Sequence, residues 1–256
     1  HIVSHKDLRS ADHDRGSLDI YLPADVQRDA PVVVFFYGGG WREGNREDYE
    51  FVASELTRAG LVVVLPDYRI YPDVRFPAFM EDAAAAFQFA HAHIGEYGLD
   101  GDIWFVGGHS AGAHIAALLA LDRRYLGEMQ ATIDGFVGLS GPYDFLPLED
   151  GYLTSVFPEP IRPQSQPIRF VGGHAPRTLL IHGDDDKTVG IGNSARLAAA
   201  LENAGVDVTM KTYEGVAHAR VVAAMASPLS RLAPTAEDIV AFVSGTSAAR
   251  DSGAPP

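Results

Sequence analysis

The stretch from residue 103 to residue 121 constrains the fold of this chain more than any other. Ile103-Trp104-Phe105-Val106-Gly107 is an apolar, β-branched and aromatic run ending in glycine, the pattern of a buried strand. Ala113-His114-Ile115-Ala116-Ala117-Leu118-Leu119-Ala120-Leu121 is rich in helix formers and apolar nearly all round, the pattern of a buried helix. Between them stands Gly108-His109-Ser110-Ala111-Gly112. A strand that enters a helix through G-x-S-x-G turns so tightly that side chains at 108 and 112 would collide, and the serine is left in a strained conformation. Isolated G-x-S-x-G strings arise by chance; the flanking strand and helix give this one a chemical reading. Ser110 then stands at the end of a sheet with the positive end of a helix beneath it.

Strands and helices alternate for most of the 256 residues, enough for one large α/β domain. Leu18 to Leu22 alternates apolar and polar residues as an edge strand does, and Pro31 leads into Val32 to Tyr37, a continuous apolar run fit for a central strand. Leu61 to Leu65, Ile133 to Leu139, Thr178 to His182 and Val206 to Tyr213 read as further strands. Helices are expected near Glu47 to Ala59, Phe79 to Ile94, Asn193 to Ala204 and Thr235 to Val243. Such alternation implies a mostly parallel sheet with helices on both faces. The Pro/Gly-rich stretch 140–176 is too long for an ordinary connection and reads as a small cap over the carboxyl ends of the strands. The tail 244–256 is small and polar, and reads as mobile.

A serine hydroxyl needs a base to take its proton, and the base needs a partner to fix its tautomer. On this scaffold the order is serine, acid, histidine. Downstream of Ser110, the strand Leu179-Leu180-Ile181-His182 runs into Gly183-Asp184-Asp185-Asp186, which places acids where sites form in open parallel sheets. The strand from Val208 to Tyr213 runs into Glu214-Gly215-Val216-Ala217-His218, a glycine loop presenting a histidine. Position along the chain leaves the choice among Asp184, Asp185 and Asp186 open, with Asp186 having room to curl back towards His218; an exposed turn is the alternative for each. Tyr37-Gly38-Gly39-Gly40-Trp41 follows a central strand, and its bare backbone N–H groups, with that of Ala111, suit an oxyanion hole. Among the remaining histidines, His182 and His114 read as core residues, His109 as a pocket contact and His174 as an outlying candidate for a supporting role. His91 and His93 lie two apart on a helix and diverge, so they do not form a metal pair.

In combination these segments resemble α/β-hydrolases of the carboxylesterase type, in the group that takes in hormone-sensitive-lipase-like esterases, BD-FAE proteins and kynurenine formamidases. Besides the serine turn and the glycine loop, the matching segments are Pro66-Asp67-Tyr68-Arg69, Phe76-Pro77-Ala78, Gly141-Pro142-Tyr143-Asp144 and Gly183 to Val189. The resemblance implies Ser110, Asp186 and His218 as catalytic residues and the Gly38, Gly39 and Ala111 amides as oxyanion donors. Asp186 is favoured because the acid in such relatives stands three residues after the strand-end glycine and three before a valine. The implied reaction is hydrolysis of a carboxylic ester of short or medium acyl chain through an acyl-enzyme, with no cofactor and no metal. Trp41, His109, Tyr143 and Phe145 are expected to wall the substrate pocket. One departure stands out: the group usually carries histidine where this chain has Tyr37, which either braces the glycine loop differently or reaches the pocket.

Other readings remain. The same groups could cleave an amide, as an arylformamidase does, or the chain could be a hydrolase-fold binding protein without turnover. Asp184 to Asp186 could hold the metal of a metallohydrolase, the weakest of the alternatives. A net charge of −14 disfavours nucleic acid and an anionic membrane surface, and no apolar run is long enough to span a bilayer. The absence of cysteine excludes disulfides and a thiol nucleophile. The expected partner is a small ester; oligomeric state is left open, a homodimer included. So is the compartment, cytoplasmic or exported with the signal peptide outside this chain.

Overall fold

A computed structural model describes residues 1–149, 151–226 and 228–251. The chain opens with β1 (Ile2–Arg9), β2 (Ser17–Pro23) and β3 (Val32–Phe36), then α1 (Glu50–Arg58) and β4 (Val62–Pro66). Helix α2 (Ala78–His93) leads to β5 (Trp104–His109), α3 (Ala111–Leu121), the single turn α4 (Arg123–Leu126) and β6 (Ile133–Leu139). After α5 (Gly151–Val156) come β7 (Arg177–Gly183), α6 (Gly192–Asn203), β8 (Val208–Tyr213), α7 (His218–Ala223) and α8 (Thr235–Asp251). The strands form one sheet in the order β1-β2-β4-β3-β5-β6-β7-β8. Strands β1 and β2 are antiparallel to their neighbours, and the rest run parallel.

Side-chain alternation assigns the two faces of this sheet. Val32, Val34 and Phe36 point to one side, where α2, α3 and α6 supply Phe87, Leu118 and Leu197. Val33 and Phe35 point to the other, where α1 and α8 supply Leu56 and Val243. Every residue of α3 is buried, as its uniformly apolar sequence requires. Among the described residues no helix is long and apolar enough to cross a membrane.

Two sequence expectations are corrected, and one strand is new. Leu18 to Leu22 lies in an interior strand, because β1 pairs along its outer side. Strand β1 is mostly exposed and lacks alternation, so its sequence carried no strand signal. The last helix, expected to end at Val243, continues to Asp251 through the stretch from 244 read as a tail, and 252–256 lie outside the described residues. Between β6 and β7, residues 140–176 carry α5 and two 3-10 turns, Glu159–Ser165 and Pro167–Phe170.

The polar residue in the β2 alternation, Asp19, is only 1% exposed, and its partner explains this. Arg46, also buried, donates from Nε to Asp19 at 2.9 Å, contacts Asp67 and Asp7, and lies 3.3 Å from Glu47. The Arg46 backbone N–H donates to Asp67 as well, at 3.0 Å. This ion cluster pins the far end of the β3–α1 loop, which carries Gly38 to Gly40, against β2 and the end of β4. Removing the cation strands two buried carboxylates. Arg46→Met is therefore expected to cost about 3–5 kcal/mol in urea denaturation, whereas Asp7→Asn, at the exposed end of the cluster, should cost less than about 1 kcal/mol.

Candidate active site

Ser110 occupies the turn from β5 into α3 with φ 55° and ψ −122°, a left-handed conformation that only a tightly held turn imposes. A Cβ at Gly108 would overlap the Gly112 carbonyl, and one at Gly112 would overlap that of Phe36, so the close packing of α3 on the sheet requires both glycines. The Ser110 N–H donates to Leu139 O at 2.9 Å, which ties the turn to β6.

Three carboxyl-end loops bring the polar groups together. The Ser110 hydroxyl lies 2.8 Å from His218 Nε2, and His218 Nδ1 lies 2.7 Å from Asp186 Oδ2. A carboxylate only accepts, so Nδ1 carries the imidazole proton and Nε2 is left to accept from the serine. Asp186 is saturated: Oδ1 accepts the Thr188 and Val189 N–H groups at 2.9 and 2.8 Å, and Oδ2 lies 3.2 Å from His182 Nε2. Burial by itself raises the Asp186 pKa; the bonds from His182, His218 and the Val189 N–H outweigh it and hold the carboxyl far below its usual range. The three neighbouring acids thus part company. Asp184 accepts the Gly215 N–H at 2.7 Å and fixes the loop that carries His218. Asp185 pairs at the surface with Lys187 at 3.0 Å. Only Asp186 reaches the imidazole, and with each acid engaged elsewhere the trio does not converge as a metal ligand set.

A cavity of about 260 Å³ opens on Ser110. Trp41 and Phe145 line it, as the sequence suggested, together with Gly40, Tyr152, Leu153 and Asn193. His109 and Tyr143 do not. Tyr143 is fully buried with its ring edge-on to Phe136, because its backbone N–H is drawn down to Asn193 Oδ1 at 2.9 Å. His109 is buried beside Tyr49, 2.8 Å from its hydroxyl. The Gly38 amide needs a further correction: it donates to that same Tyr49 hydroxyl at 3.1 Å and is committed there. Gly40 is the glycine of this loop that lines the cavity together with Ser110.

Tyr37 braces the glycine loop from outside the cavity. Its ring stacks on Tyr68 with centroids 4.5 Å apart, and its hydroxyl accepts from Arg15 at 2.8 Å. Arg15 also donates to the carbonyls of Tyr68 and Gly44, and the Tyr68 hydroxyl donates to Tyr37 O at 2.7 Å. Sequence reasoning missed Tyr49, Tyr152 and the acid contact of His182. For His182 the signal was its place four residues before Asp186 at one strand end; for Tyr49 there was none, since its contacts lie across the fold. His174 donates to Leu121 O at 3.0 Å, away from these groups.

A parallel sheet wound in this order, with serine, acid and imidazole presented after β5, β7 and β8, defines an α/β-hydrolase. The chain belongs to the BD-FAE family, whose model matches residues 18–201. It is 30% identical over 233 residues to a probable isoprenylcysteine alpha-carbonyl methylesterase, ICMEL1, of Arabidopsis thaliana, covering 81% of this chain and 49% of that one. It is 33% identical over 196 residues to the esterase LipC of Mycobacterium tuberculosis, covering 66% and 48%. The chain thus spans about half the length of these relatives. A solved structure of a truncated carbohydrate esterase from gut microbiota superposes with a TM-score of 0.83 at 22% identity, covering 96% of each chain.

Behind the cavity, His114 is fully buried, accepting from Trp41 Nε1 at 3.2 Å and donating from Nε2 to Ser165 O at 2.7 Å. Burial lowers its pKa to about 4 despite that second bond. A histidine held neutral in the fold takes up a proton on unfolding below about pH 6.5, so the stability it confers is complete above that pH and is lost as pH falls towards 4. Urea titrations are expected to show this loss, and His114→Gln, which keeps a donor for Ser165, should reduce it by roughly 1.4 kcal/mol per pH unit across the window.

Proposed function

We propose that this protein is a carboxylesterase-type serine hydrolase acting on small esters. The unbroken sequence of hydrogen bonds from Ser110 Oγ through His218 to Asp186 carries this reading. Ser110 attacks the ester carbonyl as His218 Nε2 accepts its proton, and the ionised Asp186 stabilises the imidazolium. The developing oxyanion lies against backbone N–H groups at the α3 end and the glycine loop. With Gly38 committed to Tyr49, those donors are Ala111, Gly39 and Gly40. Collapse of the tetrahedral intermediate breaks the ester C–O bond, and the His218 proton leaves with the alcohol. Water then attacks the acyl-enzyme by the same route, releases the acid and restores the Ser110 hydroxyl.

Trp41, Phe145, Tyr152 and Leu153 line a mostly apolar space just below the usual range for ligand pockets. That supports short or medium acyl groups as substrates.

Purified protein should hydrolyse p-nitrophenyl acetate and butyrate and react with a fluorophosphonate probe at Ser110. Ser110→Ala should abolish labelling and reduce kcat on the order of a million-fold. Normal turnover in that variant sinks the reading. Acyl-chain length is a separate test: a preference for chains beyond about ten carbons contradicts a pocket of this size, and greater activity on N-formylkynurenine than on esters reassigns the substrate to an amide.

A further inference from the structure

His109 and Tyr49 touch no part of the cavity, yet they stand where the three loops of the site meet. The Gly38 N–H donates to Tyr49 Oη at 3.1 Å, Tyr49 Oη lies 2.8 Å from His109 Nδ1, and His109 Nε2 lies 3.1 Å from the His218 carbonyl oxygen. The two ends of this chain fix every proton in it. A carbonyl only accepts, so His109 Nε2 carries a hydrogen; in a neutral imidazole Nδ1 is then the acceptor. The Tyr49 hydroxyl must therefore donate to Nδ1, and its free lone pair takes the Gly38 N–H. All three links are satisfied with no donor facing a donor. Burial, with the neighbouring His218 second, lowers the His109 pKa to about 3, which keeps the ring neutral and the direction of the chain constant.

We propose that Tyr49 and His109 are positioning residues, a directed hydrogen-bond chain that locks the glycine loop and the His218 loop to the serine turn. The inference rests on the serine-hydrolase reading and deepens it. His109 adjoins Ser110 in sequence, so any displacement of its ring is felt in the turn that aims the hydroxyl. Its ring also packs against that of His218, with centroids 4.9 Å apart. On the far side, the Tyr49 ring lies 6.2 Å from both Phe35 and Tyr37, anchored in the core and in the brace of the glycine loop. The base, the nucleophile and the loop proposed to hold the oxyanion therefore share one reference frame, supplied by two side chains that never meet substrate. A shift on the order of 1 Å between such groups costs about a hundredfold in rate.

The test uses the full chain and three variants, Tyr49→Phe, His109→Gln and their combination. Tyr49→Phe keeps the ring and removes the hydroxyl; His109→Gln keeps a donor for His218 O and takes the acceptor away from the Nδ1 position that faces Tyr49. Active sites are counted by fluorophosphonate titration carried to completion, and kcat and KM for p-nitrophenyl butyrate are expressed per titrated site. Each single variant should lower kcat per site on the order of 10- to 100-fold with KM near the wild-type value. Because both act through one chain, the double variant should fall within about twofold of the worse single. A purely structural role would reduce the titratable fraction and leave kcat per site unchanged, which overturns the proposal, as do multiplicative losses in the double variant. If one variant does not fold, the other is judged by its own kcat per site. Wild-type turnover that survives Ser110→Ala removes the hydrolase reading and this inference together, whereas Ser110-dependent turnover with unaltered variants removes this inference alone.

Discussion

The contact between α3 and the end of β3 governs the rest of this molecule. Helix α3 can lie where it does only because Gly108 and Gly112 leave room for the Gly112 and Phe36 carbonyls. That approach forces Ser110 into its left-handed conformation, and the backbone cost is borne by a helix buried on every side. Once the turn is fixed, the loops after β3, β7 and β8 have a common point to converge on. A methyl group at either glycine would act on all of them at once, although neither glycine touches the cavity.

Charge is handled differently at each depth below that turn. Asp186 is kept ionised by four donors, while His109 and His114 are kept neutral by burial, against the opposing pull of the backbone carbonyls that fix their tautomers. His218, partly exposed, is the imidazole in contact with both the Ser110 hydroxyl and the Asp186 carboxylate. The arrangement sets one fixed anion behind the His218 imidazole and packs the neutral His109 ring against that imidazole. The Arg46 cluster does comparable work further out, neutralising Asp19 and Asp67 so that the glycine loop has a firm end.

The inner parallel strands were legible because they are continuous apolar runs such as Val32 to Phe36, and period and length alone identify them. Ser110 was legible because strand and helix flank it, and Asp186 and His218 because each follows a strand end. What escaped detection depends on contacts between distant segments. Strand β1 has no alternation and exists because β2 offers an open edge. The commitment of the Gly38 amide depends on Tyr49, eleven residues on and turned back across the loop. Tyr143 sits in a motif that suggested a pocket wall, but Asn193, fifty residues away, pulls its backbone inward. Such pairings have no period and no composition, so a single sequence does not display them.

The segment between β6 and β7 has a consequence for how this scaffold can diverge. Tyr152 on α5 donates its hydroxyl to the Gly40 carbonyl at 3.1 Å, and the Arg42 guanidinium lies 4.0 Å over its ring. The long connection between β6 and β7 is thereby bolted to the glycine loop. Remodelling the roof of the cavity in this protein cannot proceed by loop exchange alone, because a new roof arrives without its bolt. A graft has to bring a replacement for that hydroxyl or leave the Gly40 carbonyl without its tie to the roof.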